Sequence, residues 1–182
     1  MKILIVVDMQ KDFIDGALGT AEAAAIVAAV AARIAAGRGE LVLFTQDTHG
    51  ADYLDTPEGK KLPVPHCIKG TPGWEIDATV KAAWQNHPDT VILPDLPENT
   101  FTKPVFGSVD LVDFLKAKQN EIESIEILGI CTDICVISNA IMIKNTLPEI
   151  EIIVNAGCCA GVNPESHAEA LNVMRMCHID VI

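Results

Sequence analysis

Aromatic residues are scarce, with Phe, Trp and Tyr making up 4% of the 182 positions. A base-stacking platform for single-stranded nucleic acid needs several such rings on one surface, and this chain has few to spare. Positive charge is scarce too. Thirteen Lys and Arg face 25 Asp and Glu, giving a net charge of −12 and a pI near 4.7. No basic run interrupts that surplus, so phosphate backbones and anionic membrane surfaces are repelled. Neither nucleic acid nor membrane is expected as a partner. Long apolar runs are missing as well. The N-terminal run Ile3–Val7 stops at Asp8, too short for the apolar core of a signal peptide. No stretch approaches the roughly 20 apolar residues of a membrane span. Without an export signal, the six cysteines (Cys67, Cys131, Cys135, Cys158, Cys159 and Cys177) read as reduced thiols and the location as cytoplasmic.

The chain does hold apolar aliphatic residues in ordered alternation. Hydrophobic residues make up 49% of it, enough for a substantial core. Ile3–Val7 reads as a strand covered on both faces. Thr20–Ala36 carries Ile26, Val30 and Ile34 at helical spacing and ends at Gly37 and Gly39. Further strands are expected at Leu41–Thr45, Thr90–Leu93, Ser124–Leu128, Ile150–Val154 and Ile179–Ile182. Further helices are expected at Ala78–Trp84, Val109–Lys118, Asp133–Lys144 and Pro164–Met176. Strands alternating with helices imply crossover connections and a parallel sheet with helices on both faces. The expected fold is therefore a single α/β domain over residues 1–182, three-layered α/β/α, around a mainly parallel sheet of about six strands. Its active site should lie off the carboxyl ends of the strands.

Three segments place reactive groups there. Asp8 ends the first strand, where a carboxylate either serves chemistry or caps a following turn. Cys135 lies in Gly129-Ile130-Cys131-Thr132-Asp133-Ile134-Cys135-Val136, between a strand and a helix. A thiol in the first turn of a helix meets the positive end of the dipole, which lowers its pKa. Backbone N–H groups exposed there can hold a developing oxyanion. Cys131 reads as a packing residue or as one that shapes the turn. Lys103 lies in Phe101-Thr102-Lys103-Pro104-Val105-Phe106-Gly107-Ser108, after a strand and before a helix. A lysine there is either a solvated surface charge or a catalytic cation.

A fourth segment, residues 46–73, is long, polar and rich in proline and glycine. A loop of that length inside a compact domain is functional or disordered. Asp47-Thr48-His49 opens it, and His66-Cys67-Ile68-Lys69-Gly70-Thr71-Pro72-Gly73 closes it. Two imidazoles and a carboxylate suit Zn²⁺ or another borderline divalent ion.

Taken together, Asp8 with Phe13, Lys103 with Phe106-Gly107, and Thr132-Asp133-Ile134-Cys135-Val136 resemble the isochorismatase-like cysteine hydrolases, nicotinamidases especially. The resemblance runs in order from residue 3 to about residue 180. It implies that Asp8, Lys103 and Cys135 form a catalytic triad acting on a small amide, nicotinamide in the first instance. It implies a cis peptide bond between Ile130 and Cys131, which turns the Cys131 and Cys135 amides toward the oxyanion. It also implies that Asp47, His49 and His66 hold a divalent metal, zinc ahead of iron or manganese, which anchors a pyridine nitrogen. One further ligand is expected between the two motifs, with Glu58 the candidate and Asp52 and Asp55 its rivals. Phe13 and Phe106 are the ring contacts available to the substrate, although Phe13 can equally be core. Relatives are commonly dimers or larger, so a homo-oligomer is expected. The chain departs from the nicotinamidase pattern in two places. Leu62-Pro63-Val64-Pro65 stands where an aromatic residue often precedes the second metal histidine, and Asn139 stands where threonine is common. Both leave open a relative acting on another small amide or ureido compound.

Overall fold

The computed structural model describes all 182 residues, Met1–Ile182. Six strands and seven helices follow one another as β1 (Lys2–Val7), α1 (Lys11–Ile14), α2 (Ala21–Ala36), β2 (Glu40–Asp47), α3 (Pro57–Lys61) and α4 (Ala78–Gln85). They continue as β3 (Thr100–Lys103), α5 (Val109–Ala117), β4 (Ser124–Ile130), α6 (Ile137–Thr146), β5 (Glu151–Ala160), α7 (Pro164–Met176) and β6 (Asp180–Val181). The sheet order is β3-β2-β1-β4-β5-β6, and every pairing is parallel. From β1 the chain steps outward through β2 to β3, then returns to β4 and steps outward the other way. Right-handed crossovers put helices on opposite faces when the stepping direction reverses. Accordingly α2 packs with α4, while α6 packs with α5 and α7.

β1 is the strand most enclosed, with Leu4–Val7 fully buried between β2 and β4. The direction of stepping switches beside it, so the crevice between the β1 and β4 carboxyl ends is where a ligand site belongs. Gly129 makes this junction possible. Its φ is +122°, and a Cβ there would sit 2.1 Å from the Val7 carbonyl oxygen. A side chain would push the two central strands apart just below the site.

The helix starts follow capping chemistry. Thr20, Thr56, Asp77, Ser108 and Asn163 each accept a backbone N–H with the side chain at the head of α2, α3, α4, α5 and α7. All six cysteines are free.

Two elements differ from expectation. Thr90–Leu93 is not a strand, and Val91 and Ile92 are 49% and 68% exposed. The buried Asn99 side chain pairs with this segment instead, accepting from the Leu93 N–H and donating to the Val91 and Val42 carbonyls. An amide side chain thus stands in for a neighbouring strand. The edge strand is Thr100–Lys103, so Lys103 ends a strand rather than following one. The helix expected from Asp133 instead begins with a wide turn over Thr132–Val136, closed by Val136 N–H donating to Cys131 O at 3.0 Å. α6 follows from Ile137.

Candidate active site

Four strand ends deliver the reactive groups to one place. Asp8 follows β1, Asp47 ends β2, Lys103 ends β3, and Cys131 and Cys135 follow β4. Asp8 adopts a left-handed φ of 47°, rare for a residue with a Cβ. It does not cap α1, whose N-cap is Gln10. Its carboxylate turns inward and is completely buried. Thr45 Oγ1 donates to Asp8 Oδ1 at 2.7 Å, and Lys103 Nζ lies 2.6 Å from Oδ2. Lys103 Nζ also reaches Cys135 Sγ at 3.5 Å and Asp47 Oδ1 at 3.5 Å. A lysine that is 2% exposed among two carboxylates and a thiol is no surface charge.

Burial and charge set the protonation of this group. Burial pushes Asp8 above the usual carboxylate range, and Lys103 opposes the push without cancelling it. Burial alone would discharge Lys103, but Asp8, Cys135 and Asp47 hold its ammonium charged. Cys135 contradicts the expectation of a depressed thiol. Burial and the Asp8 carboxylate push it well above the ordinary thiol range, and Lys103 offsets only part of this. The desolvation of a fully enclosed sulfur outweighs the dipole of one short helical turn. In the resting site the proton is therefore on sulfur, next to a carboxylate positioned to take it.

Ile130–Cys131 is a cis peptide bond, as the resemblance implies. The turn it opens is fastened on two sides. Asn139, wholly buried, donates to Cys135 O and Phe106 O and accepts from Ser108 N–H. This ties the Cys135 turn to the segment after Lys103. On the other side the Asp133 carboxylate accepts from Val162 N–H and from Ser166 Oγ, and Thr132 Oγ1 bonds His167 Nδ1 at 2.8 Å.

Asp47, His49 and His66 bring their ligand atoms within 4.8 Å of one another, and all three are buried. Asp47 Oδ2 lies 2.9 Å from His49 Nε2 and 3.5 Å from His66 Nε2. His66 Nδ1 faces the Val64 carbonyl at 2.9 Å, which fixes the ring so that Nε2 points inward. Burial would raise the Asp47 carboxyl, but the two imidazoles and Lys103 hold it well below the usual range. His66 is raised, because Asp47 and the Val64 carbonyl outweigh its burial. A buried carboxylate between two imidazoles, with one ring oriented from behind, is a donor set that fits a borderline divalent cation. Glu58 lies closest of the three further acids expected, with Oε1 3.8 Å from His49 Nε2. Asp52 and Asp55 are exposed and outside the cluster.

Asp47, Glu58 and His66 share a cavity of about 240 Å³ with Cys131 and Cys135. Its remaining walls are largely apolar and include Phe13, Leu18, Leu62, Phe106, Ile134 and Val162. Phe13 is 9% exposed, packs in the core and also lines this space. Leu62, from the stretch that departs from the nicotinamidase pattern, forms part of this wall.

Several supporting residues carry no signal in the sequence. Gln10, wholly buried, accepts from Asp47 N–H and donates to Asp47 O and Trp74 O, pinning the end of β2 to the segment after β1. Asp12 accepts from Cys67 N–H at 2.7 Å and so holds the loop's exit. The Tyr53 ring packs 4.6 Å from His49 and 5.0 Å from His66. Thr45 fixes the Asp8 carboxylate. Only their nearness in sequence to Asp8, Asp47 and His49 hints at these duties.

Known proteins share this fold. The isochorismatase domain model matches residues 2–182. The nicotinamidase/pyrazinamidase of Mycobacterium tuberculosis is 28% identical over 195 residues, covering 100% of this chain and 98% of the relative. An uncharacterised isochorismatase family protein of Bacillus subtilis is also 28% identical, over 176 residues covering 94% of this chain and 92% of the relative. Among solved structures, the pyrazinamidase/nicotinamidase of Streptococcus mutans superposes with a TM-score of 0.81 at 28% identity, covering 100% of both chains. The pyrazinamidase of Pyrococcus horikoshii in complex with zinc has the same fold, with a TM-score of 0.77 at 24% identity over 100% of this chain and 98% of that one. The strand order, the site at the β1/β4 switch and these matches agree: the chain belongs to the isochorismatase family, in its nicotinamidase branch, and is a hydrolase.

Proposed function

We propose that this hydrolase is a metal-dependent amidase of the nicotinamidase type, converting nicotinamide and water to nicotinate and ammonia through a thioester on Cys135. One observation carries the reading. A buried carboxylate and ammonium (Asp8 and Lys103) meet the Cys135 thiol, and that thiol lines the same cavity as Asp47 and His66 of the Asp47–His49–His66 cluster.

The reaction begins with the thiol proton. Asp8, raised by burial and facing the sulfur, accepts it as the Cys135 sulfur attacks the carboxamide carbon. Lys103, within reach of both groups, keeps the pair of negative charges from repelling each other. The amides of Cys131 and Cys135 receive the oxyanion, a contact worth about 10²–10³ in rate per donor. Asp8 passes its proton to the nitrogen, the C–N bond breaks and ammonia leaves. A water then gives a proton to Asp8 and its oxygen to the thioester carbon, so the C–S bond breaks, the proton passes from Asp8 to the Cys135 sulfur and the acid departs. Thr45 holds Asp8 in place through both halves.

Asp47, His49 and His66 would hold the divalent ion, zinc ahead of iron or manganese, with Glu58 close enough to complete its shell directly or through water. Bound there, the ion would supply a Lewis-acid anchor for a ring nitrogen of the substrate. Phe13 and Phe106 offer ring faces to the same substrate.

Ammonia release from nicotinamide by the metal-loaded protein tests the reading. Cys135→Ala is expected to lower kcat by at least about 10⁴-fold, and full activity in that variant would overturn the mechanism. Leu62, where an aromatic was looked for, favours a second reading: the same chemistry on another small amide or ureido compound. Turnover of such compounds with none of nicotinamide would select it. The full reading treats residues 1–182 as one cytoplasmic unit, with residues 46–73 as its metal loop, that works as a homo-oligomer. Exposed Val173 and Met176 on α7 support the last point.

A further inference from the structure

The catalytic cavity has a larger neighbour. A second chamber, of about 610 Å³, shares Glu58, Leu62, Phe106 and Ile134 with the first and is the more open of the two. Leu62 and Phe106, 38% and 48% exposed, form the partition. The inner space is small for anything beyond a single-ring amide, since ligand pockets for larger molecules run from about 300 Å³ upward. A substituent on that ring has one roomy direction to grow, past Leu62 into the outer chamber.

The chemistry of the outer wall selects the substituent. Thr48 Oγ1 already donates to Gln46 O and accepts from Trp74 Nε1. Thr56 Oγ1 donates to Tyr53 O and accepts from Gly59 N–H. His49 Nε2 lies 2.9 Å from Asp47 Oδ2 and 3.8 Å from Glu58 Oε1. Lys61 is the remaining polar side chain on that wall, and it makes no ion pair although the protein carries a net charge of −12. An anionic arm meets one cation there that has no ion-pair partner, while the Glu58 carboxylate on the same wall is turned toward His49.

We propose that the substrates of this enzyme include ring carboxamides bearing a second, acidic substituent, with the carboxamide in the inner cavity and the acid at Lys61. This rests on the amidase reading above and adds to it the class of substrate. The bond broken is unchanged: the carboxamide C–N bond is hydrolysed to carboxylate and ammonia, and the acidic arm takes no part.

Three amides test this on the metal-loaded enzyme: nicotinamide, nicotinamide with a carboxyethyl arm on ring carbon 5, and the methyl ester of that arm. The acid and the ester have the same reach and differ in charge. An exposed ion pair gives a modest preference, so kcat/KM for the acid is expected to exceed that for the ester by about three- to fivefold at low salt. That ratio should fall toward one in about 1 M NaCl, where screening shortens to about 3 Å. Lys61→Glu should invert the ratio, and Lys61→Met should bring it to about one. Because each is a ratio within one variant, a general loss of activity leaves it readable. Turnover of nicotinamide with rejection of both armed amides would overturn the proposal and leave the amidase reading standing. An acid-to-ester ratio that Lys61→Glu does not move would also overturn it. If none of the three is hydrolysed, the amidase reading falls and this proposal falls with it.

Discussion

At the scale of single residues, the site separates the two influences that act on a catalytic thiol. A position in the first turn of a helix favours thiolate, whereas burial and a neighbouring carboxylate favour thiol. Here the second influence wins, and Cys135 is pushed well above the ordinary range by burial first and Asp8 next. The consequence has a definite sign. Neutralising Asp8 removes a charge that disfavours thiolate and leaves Lys103 to stabilise it. Asp8→Asn is therefore expected to alkylate faster with iodoacetamide at Cys135 than the wild type does, while amide hydrolysis falls by about 10³-fold or more for want of a proton acceptor. Lys103→Met should slow both. Mass spectrometry of the Cys135 peptide over time, read beside the exposed Cys177 as an internal standard, measures the first effect. Slower alkylation in Asp8→Asn would contradict the assignment of Asp8 as the group raising the thiol.

At the scale of elements, the lower half of the sheet is joined by charge rather than by catalysis. Arg33 of α2 bonds Glu40 at the start of β2 through two nitrogens and Glu126 of β4 through two more contacts, and Asn155 of β5 adds a donor to Glu126. These side chains are only 15–20% exposed, so solvent screens them weakly. Burial would raise Glu126, but the bonds from Arg33 and Asn155 outweigh it and hold the carboxyl below its usual value. A folded pKa below the unfolded one adds stability that is complete above the unfolded value, about 4.3, and is lost as pH falls through the folded value. Glu126→Gln should therefore be less stable than the wild type by about 1–2 kcal/mol at pH 6. The two unfolding midpoints in urea should converge between about pH 4 and 2. A gap that stays constant down to pH 2 would show that the cluster contributes through packing and not through ionisation.

At the scale of the whole molecule, the six-stranded sheet makes the site a shared product of four strand ends, and the loop after β2 adds His49 and His66 to it. Gln10, Asp12 and Tyr53 already hold Asp47, His49 and the backbone of Cys67 in place through direct contacts. A divalent ion at Asp47, His49 and His66 would add its binding free energy to folding, because the unfolded chain has no such cluster. Removing metal with a strong chelator is expected to lower the melting temperature by several degrees, and one equivalent of zinc, iron or manganese should restore it. Calorimetry on the apo and reloaded protein reads this without reference to activity. Equal melting temperatures in both would argue against a metal at these residues.

The sequence by itself determined the order of elements and most of the reactive groups. Apolar runs ending at Asp8 and at Gly129-Ile130 mark buried parallel strands, because only strands covered on both faces tolerate such continuity. Capping residues mark the helix starts. Asp8, Asp47 and Cys135 stand out because each falls at or just after an expected strand end, where backbone geometry opens toward a ligand, whereas the strand that Lys103 ends emerged only in the structure. Thr90–Leu93 misled because its apolar, β-branched residues satisfy a strand pattern, while its pairing was decided by the Asn99 amide from a turn. Periodicity carries no record of such a partner. The same holds for Gln10, Thr45, Tyr53 and Asn139, whose roles exist only once distant backbone groups have been brought alongside them. The protonation of Cys135, the 3.8 Å approach of Glu58 to His49, and the chamber beyond Leu62 also belonged to the tertiary structure. Burial, distance and cavity shape are properties of groups assembled in space, and the order of residues along the chain does not contain them.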